Sequence, residues 1–149
     1  MSGAETRKIM LIHGPNLNLL GKREPEIYGA DTLADVEGWC RVAGEDAGVA
    51  VDCRQSNHEG EIVTWIHEAR DTAAAIVINA GAYTHTSIAI HDALRAFEGV
   101  IVELHISNPH LRESFRHISH IGPTATAQVA GFGVKAYPKV IGAVARMLG

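Results

Sequence analysis

Short apolar runs rich in β-branched residues alternate along this chain with longer segments whose apolar residues recur at helical spacing. Five such runs are predicted strands: Lys8–His13, Val49–Cys53, Ala74–Ile78, Val100–Leu104 and Ala127–Ala130. Strands that alternate with helices form right-handed βαβ units, which build a parallel sheet with helices on both faces. We therefore predict an α/β fold with a flavodoxin-like, doubly wound, five-stranded parallel sheet. A Rossmann-like strand order is the less favoured alternative.

Helix signals between the strands agree with this prediction. Thr32 and Asp35 form a capping-box pattern at the start of one helix, and Gly48 is placed to end it. The predicted buried face of this helix, at 3-4-3-4 spacing, consists of Leu33, Val36, Cys40, Ala43 and Ala47. The other predicted helices are a segment marked by Ile62, Ile66, Ala69 and Ala73, the segment Ser87–Ala96 capped by Thr86, a weakly supported Leu111–Phe115, and Tyr137–Leu148.

Size and charge narrow the class of protein. A chain of 149 residues predicts one domain over residues 1–149. The formal charge of −4 gives no reason to expect nucleic acid or an anionic membrane as a partner. No apolar run is long enough to span a bilayer, and the N-terminal residues lack a signal-peptide pattern. Two cysteines outside a C-x-x-C motif indicate thiols in a reducing compartment, so we expect a cytoplasmic location.

The stretch from His13 to Gly29, HGPNLNLLGKREPEIYG, is the longest predicted connection. Connections longer than about a dozen residues are uncommon in compact domains and are usually functional or disordered. Leucines in this stretch can be buried, which favours an ordered lid or binding loop over residues 19–29. Its chemically capable residues are Asn16, Arg23 and Tyr28.

Four polar residues follow the predicted strand ends: Asn16, Asn57, Asn79 and His105. In open α/β sheets, ligands bind outside the carboxyl ends of the strands. The sequence therefore predicts a site at this edge of the sheet.

Glu103 and His105 are two residues apart on a predicted strand, so their side chains point to the same side. A carboxylate among apolar neighbours is costly to bury without a hydrogen bond, and the imidazole can supply one. Such a pair would suit His105 to donate a proton near neutral pH. The alternative is a structural ion pair at a strand end.

Tyr28 and Arg23 form a second candidate pair. A phenol is a poor base at neutral pH unless a cation stabilises its phenolate, and Arg23 could do so by folding over the loop. Tyr28 could then remove a proton alpha to a ketone. The alternative, favoured without further evidence, is a surface tyrosine with Arg23 paired to Glu24 or Glu26.

The remaining motifs do not indicate a single function. His110, His117 and His120 match no standard zinc spacing and are expected at the surface. Arg112 and Arg116 could share one helix face and hold an anion or hydroxyls, or simply be solvated. No lysine lies in an apolar strand for Schiff-base chemistry, and no P-loop, dinucleotide fingerprint or G-x-S-x-G elbow is present.

Four motifs nevertheless resemble one family in order and spacing: HGPNLNLLGKREPEIYG, QSNHEGEIVTWIHEA, INAGAYTHTSIAIHDAL and VELHISNPHLRESFRHIS. They are similar to those of the type II 3-dehydroquinate dehydratases, and the resemblance covers nearly the whole chain. It implies reversible anti elimination of water from 3-dehydroquinate to 3-dehydroshikimate through an enolate, without metal, cofactor or Schiff base. It also implies a homododecamer, a tetramer of trimers.

The resemblance also implies a role for each matching residue. Tyr28 would be the base, with Arg23 stabilising its phenolate on the lid, and His105 the acid, held by Glu103. Asn16 would position the water that stabilises the enolate oxygen. The remaining matches are substrate-binding residues: Asn79, Ile106 and Ser107 for the carboxylate, His85 and Arg116 for ring hydroxyls, Arg112 on the lid side, and Asp92 reaching a neighbouring subunit's site. Ala80 replaces the family's usual proline, which bears on the pose of Asn79.

Two other classes of function are kept as alternatives. One is metal-dependent hydrolysis using His110, His117 and His120. The other is a non-enzymatic binding or assembly module, which predicts that Glu103 and His105 are not in contact. For the dehydratase, shikimate biosynthesis and quinate breakdown remain open, because both pathways use the same step.

Overall fold

Five parallel strands form one sheet with the order β2-β1-β3-β4-β5, which is the flavodoxin-like order predicted from the sequence. The computed structural model describes residues 6–149, apart from the side chains of Ile27 and Tyr28. The strands are β1 Arg7–His13, β2 Val49–Gln55, β3 Ala75–Asn79, β4 Val100–His105 and β5 Ala127–Ala130. The helices are α1 Pro25–Tyr28, α2 Leu33–Ala47, α3 Glu59–Thr72, α4 Ile88–Arg95 and α5 Ala136–Leu148.

Helices cover both faces of the sheet. On one face α2 and α5 pack against β1 and β3, with Val36, Cys40 and Ile141 fully buried. On the other face α3 and α4 bury Ile62, Ile66 and Ile90 against the same strands, so the sheet is doubly wound. This arrangement explains why the central strands are apolar throughout, because both of their surfaces lie in a core.

The capping box at α2 is present as predicted. The Thr32 hydroxyl accepts a hydrogen bond from the Asp35 N–H, and the Asp35 carboxylate accepts one from the Thr32 N–H. Gly48 ends the helix in the left-handed conformation with φ 77°. The prediction that Ala47 lies on the buried face is wrong, since Ala47 is exposed and Gly44 is buried instead. A Cβ at Gly44 would lie 2.9 Å from the Val49 carbonyl oxygen, so a glycine lets α2 approach β2.

Other local predictions needed correction. Ser87, not Thr86, caps α4, because the Ser87 hydroxyl accepts a hydrogen bond from the Ile90 N–H at 2.9 Å. The predicted helix Leu111–Phe115 is replaced by two 3-10 turns, Pro109–Leu111 and Ser114–Arg116, separated by extended backbone at Arg112. Three further 3-10 turns span Leu17–Leu19, Gly81–His85 and Gly122–Thr124. Strand β2 continues to Gln55, because that residue pairs with His13 in the β1 register.

The long connection after β1 contains two helical segments that the sequence did not predict. It contains a 3-10 turn and the four-residue α1, which starts at Pro25. Leu17 and Leu20 are buried in the same core as β1, so this stretch is anchored at its first half. Among the described helices, none combines the length and hydropathy needed to cross a membrane.

His13 ends β1 inside the core and is fully buried, with its ring centroid 5.3 Å from that of Tyr137. Neither ring nitrogen has a hydrogen-bond partner among the described residues. Burial lowers the pKa of His13 to about 4, and the nearby Arg54 backbone offsets only part of that effect. The folded chain therefore holds a neutral imidazole over a pH range in which the unfolded chain binds a proton.

We expect this imidazole to make stability depend on pH. Above pH 6.5 His13 is neutral in both states, and between pH 6.5 and 4 only the unfolded state gains the proton. The free energy of unfolding should thus decrease as the pH is lowered from 6.5 to 4, and His13 should account for about 3 kcal/mol of that decrease. Urea unfolding at fixed protein concentration should show this loss for the wild type but not for His13→Leu. The exposed His67→Leu is the control, and equal pH slopes for wild type and His13→Leu would contradict the expectation.

Candidate active site

A cleft of about 180 Å³ lies at the carboxyl edge of the sheet, above β1, β3 and β4. Strand register brings the ends together, since His13 pairs with Asn79 and the next residue, Gly14, donates its N–H to the Asn79 carbonyl oxygen at 2.8 Å. Nine of the predicted site residues line the cleft: Asn16, Arg23, Asn79, His85, His105, Ile106, Ser107, Arg112 and Arg116. The structure thus brings most of the predicted residues together in one cavity, including three of the four that follow predicted strand ends.

Two predicted residues are placed elsewhere, and the side chain of a third is not described. Glu103 lies behind His105 and lines a smaller adjoining cavity instead. Asp92 is exposed on α4 and does not line the cleft of its own chain. Tyr28 closes α1 with its backbone, whereas its side chain lies outside the described part of the structure.

Glu103 and His105 are in contact, as their spacing predicted. The distance between His105 Nε2 and Glu103 Oε2 is 2.6 Å, and Glu103 is only 2% exposed. The Ser119 hydroxyl donates to Glu103 Oε2 at 2.6 Å, and Gln128 Nε2 donates to Oε1 at 2.6 Å. Burial by itself would raise the pKa of Glu103, but these hydrogen bonds together hold the pKa below its usual value.

The ionised Glu103 decides how His105 can act. A carboxylate only accepts hydrogen bonds, so Nε2 of His105 must carry its proton toward Glu103. Nδ1 is then the ring nitrogen that can exchange a proton, and His105 lines the cleft. The contact therefore fixes the orientation of the His105 ring at the edge of the cleft.

Asn79 is held from two sides at the end of β3. Its amide donates to the hydroxyl of buried Tyr137 at 3.1 Å, and its Oδ1 accepts the Gly81 N–H at 3.1 Å. Burial raises the pKa of Tyr137, so this phenol stays protonated. Ala80 has φ −75°, within the range that proline would impose. The alanine therefore keeps the local backbone that a proline would require.

His85 and the arginines form the polar wall of the cleft. Nδ1 of His85 bonds to the Ile118 carbonyl oxygen at 2.8 Å, and its ring stacks 6.4 Å from that of His105. Burial lowers the pKa of His85, and the neighbouring His105 acts in the same direction, so His85 is neutral near pH 7. Because Nδ1–H donates to the Ile118 carbonyl oxygen, neutral His85 presents Nε2 as an acceptor for a hydroxyl, whereas the arginines supply positive charge.

The guanidinium groups are fixed to different extents. Arg116 Nε donates to Glu113 at 2.7 Å, and Arg112 lies 3.4 Å from the Ser107 hydroxyl. Arg23 forms an exposed ion pair with Glu24 at 3.2 Å, which is one of the two pairings considered from the sequence. An exposed pair of this kind contributes little stability, so it opposes a change of partner only weakly.

Several contributing residues were missed from the sequence. Gln128 pairs with Glu103 in the β4–β5 register, so alignment of the two predicted strands could have indicated it. Ser119 lies in an irregular segment with no periodic signal, and Tyr137 follows only from the packing of α5. Asn57 was predicted at the rim, and the structure places its Oδ1 3.0 Å from the Asn16 backbone nitrogen, outside the cleft lining.

The three histidines considered for a metal site do not converge. Among residues 6–149, no group of three or more histidines, cysteines, aspartates or glutamates is placed to hold a metal ion. The rings of His110 and His117 lie 5.5 Å apart, and His117 Nε2 is 3.1 Å from the Arg112 carbonyl oxygen. The backbone of His120 instead pairs with Thr84.

Comparisons with known proteins agree with this geometry. The family model described as dehydroquinase class II matches residues 7–145. A relative from Variovorax paradoxus (strain S110), named 3-dehydroquinate dehydratase, is 57% identical over an alignment of 143 residues that covers 93% of this chain and 98% of that protein.

Solved structures give the same result. The crystal structure of a type II dehydroquinase from Propionibacterium acnes has a TM-score of 0.90 at 38% identity, covering 97% of this chain and 99% of its own. One from Butyrivibrio crossotus DSM 2876 has a TM-score of 0.90 at 43% identity, with coverage of 93% and 97%. The chain belongs to the type II dehydroquinases, a family of hydro-lyases.

Proposed function

We propose that this chain catalyses the reversible anti elimination of water from 3-dehydroquinate, giving 3-dehydroshikimate through an enolate. The observation that carries the proposal is His105, held by buried Glu103 and lining a cleft with Asn79 and three arginines. A relative 57% identical to this chain is named for the same reaction. The cleft supplies both proton-transfer and anion-binding groups, which a hydroxyketone carboxylate requires.

The elimination has two proton transfers. In the first, Tyr28 as phenolate removes the proton at C2, and the electron pair of that C–H bond forms the enolate with the C3 carbonyl. In the second, the C1–O bond breaks, the C1=C2 bond forms, and His105 gives its proton to the leaving hydroxyl, which departs as water. General acid–base steps of this kind each contribute roughly 10²–10⁴-fold.

Supporting groups act on charge and orientation. Arg23, on a lid of about residues 19–29, stabilises the Tyr28 phenolate, and its exposed pairing with Glu24 is weak enough to exchange. Asn16 positions the water that stabilises the enolate oxygen. Both residues line the cleft, which supports these assignments. Preorganised donors near a developing negative charge are usually the largest single contribution to catalysis.

Substrate binding follows the polar wall of the cleft. Asn79, the Ile106 N–H and Ser107 bind the carboxylate, and Arg112 supplies positive charge on the lid side of the cleft. His85 and Arg116 bind the ring hydroxyls, for which a neutral imidazole is suitable. All six line the cleft.

Assembly supplies the last proposed site residue. Asp92 lies away from the cleft of its own chain, so a role at the site requires a second copy, consistent with a homododecamer. Leu111, Phe115 and Ile118 expose large apolar side chains near the cleft, which a subunit interface would cover. Light scattering should give a particle of about 190 kDa, twelve times the 16.0 kDa chain.

We further propose that residues 1–149 form one catalytic domain. We also propose a cytoplasmic location, which the free thiols of Cys40 and Cys53 support.

The decisive experiment is an assay of the pure protein with 3-dehydroquinate. The conjugated enone of the product absorbs in the ultraviolet, so we expect absorbance to rise with time, equally before and after treatment with a chelator. Circular dichroism on the same sample would establish that the chain is folded. A folded chain without turnover would refute the proposal.

The role of Glu103 can be tested by Glu103→Gln. The amide keeps the size of the side chain but removes the negative charge that lies 2.6 Å from His105 Nε2. Because hydrogen bonds to charged groups are worth about 1.5–3 kcal/mol, kcat should fall roughly tenfold to a hundredfold. Glu98→Gln, which neutralises an exposed carboxylate before β4, should retain the wild-type kcat. Unchanged kcat in Glu103→Gln would reduce the pair to a structural contact.

A further inference from the structure

Asn16 has a strained backbone for a side chain other than glycine. Its φ is 70° and its ψ −6°, in the left-handed region. Asparagine adopts this conformation at lower cost than most residues, but a local partner is still needed to hold it. Asn16 lines the cleft, and the backbone conformation at residue 16 sets the direction in which its side chain leaves the chain.

The partner comes from the segment after β2. Asn57 Oδ1 accepts the Asn16 N–H at 3.0 Å and also accepts a hydrogen from Gln55 Nε2 at 3.2 Å. The same Gln55 nitrogen donates to the Gly14 carbonyl oxygen at 3.2 Å. Backbone groups fix the orientation of both side-chain amides. The Asn16 N–H requires the oxygen of Asn57, and the Gly14 carbonyl requires the nitrogen of Gln55.

The backbone that carries this acceptor is itself held in place. The Ser56 N–H donates to the His13 carbonyl oxygen at 3.0 Å, which extends the β1–β2 pairing by one bond. The Tyr83 hydroxyl donates to the Asn57 carbonyl oxygen at 2.8 Å. Asn57 is exposed, but its side chain is presented from a fixed backbone, so little further ordering is needed to make the contact.

We propose that Asn57, oriented by Gln55, is a positioning residue that holds Asn16 in the left-handed conformation required for its role in the reaction. This inference rests on the proposed function of Asn16. In the hydrogen bonds among the described residues, the Asn57 side chain acts as an acceptor and the Gln55 side chain as a donor. Isosteric acid substitutions at the two positions should therefore have opposite results.

The first test compares four variants by kcat and KM with 3-dehydroquinate. Asn57→Ala should lower kcat about three- to tenfold with KM nearly unchanged, as expected for one lost hydrogen bond. Asn57→Asp keeps the acceptor and should recover most of that loss. Gln55→Glu has no donor and should lose activity as Asn57→Ala does. His58→Ala is the neighbouring control, since its side chain does not cap α3, and should match the wild type. Equal losses in Asn57→Asp and Asn57→Ala would overturn the proposal.

The second test asks whether Asn57 acts through Asn16. In the background of Asn16→Ala, the added Asn57→Ala should cost no further kcat, because the group that it positions is already absent. Suppose that Asn16→Ala has a low kcat and that Asn57→Ala lowers it further by as much as in the wild type. That result would overturn the positioning role of Asn57 but not the role of Asn16. A wild-type kcat in Asn16→Ala would overturn the role of Asn16 itself and this inference with it.

Discussion

Replacing His105 by alanine should lower kcat by roughly two to four orders of magnitude while KM changes only a few-fold. The reason is that a leaving-group acid acts in the transition state, whereas the surrounding polar wall continues to bind the substrate. Steady-state assays of the folded variant give both constants. His67→Ala, an exposed histidine on α3, is the matched control and should leave both constants unchanged.

A double variant separates catalysis from stability at this site. If Glu103 acts through His105, then Glu103→Gln should cost little further kcat once His105 is alanine. If the ion pair at the end of β4 were purely structural, the single variant Glu103→Gln would lower the free energy of unfolding and leave kcat near the wild-type value. A kcat for His105→Ala within a few-fold of the wild type would remove His105 from the role of acid.

The sheet was predictable because each central strand is buried on both faces. Such strands are apolar along their whole length, and right-handed crossovers leave few possible strand orders. Strand ends and short turns were less predictable, since they depend on pairing and on local capping. Gln55 belongs to β2 only because His13 lies opposite it, and Ser87 caps α4 although Thr86 has similar chemistry.

The site was predictable to the extent that it follows the strand ends. Asn16, Asn79 and His105 were indicated by the rule that parallel strands present ligands at their carboxyl edge, and all three line the cleft. The groups that hold them come from other layers of the fold. Ser119 and Tyr137 reach Glu103 and Asn79 through tertiary packing, for which no local pattern in the sequence is diagnostic.

Tyr28→Phe should abolish turnover, with a fall in kcat of about 10²–10⁴-fold or more, while the substrate still binds. The variant lacks the oxygen proposed to take the C2 proton, but it keeps the cleft residues proposed to hold the carboxylate and hydroxyls. Equilibrium titration with 3-dehydroquinate measures binding, and the ultraviolet assay measures turnover. A near-normal rate in Tyr28→Phe would remove Tyr28 from the role of base.

Hydrogen exchange at C2 in heavy water distinguishes the two proton-transfer residues, because it reports only the first half of the reaction. His105→Ala should still exchange the C2 proton, since the enolate can form and take a deuteron back without losing the hydroxyl. Tyr28→Phe should lose exchange and dehydration together. Exchange at the wild-type rate in Tyr28→Phe would show that another group removes the proton. Loss of exchange in His105→Ala would mean that enolate formation itself depends on the imidazole, which would replace the stepwise mechanism by a concerted one.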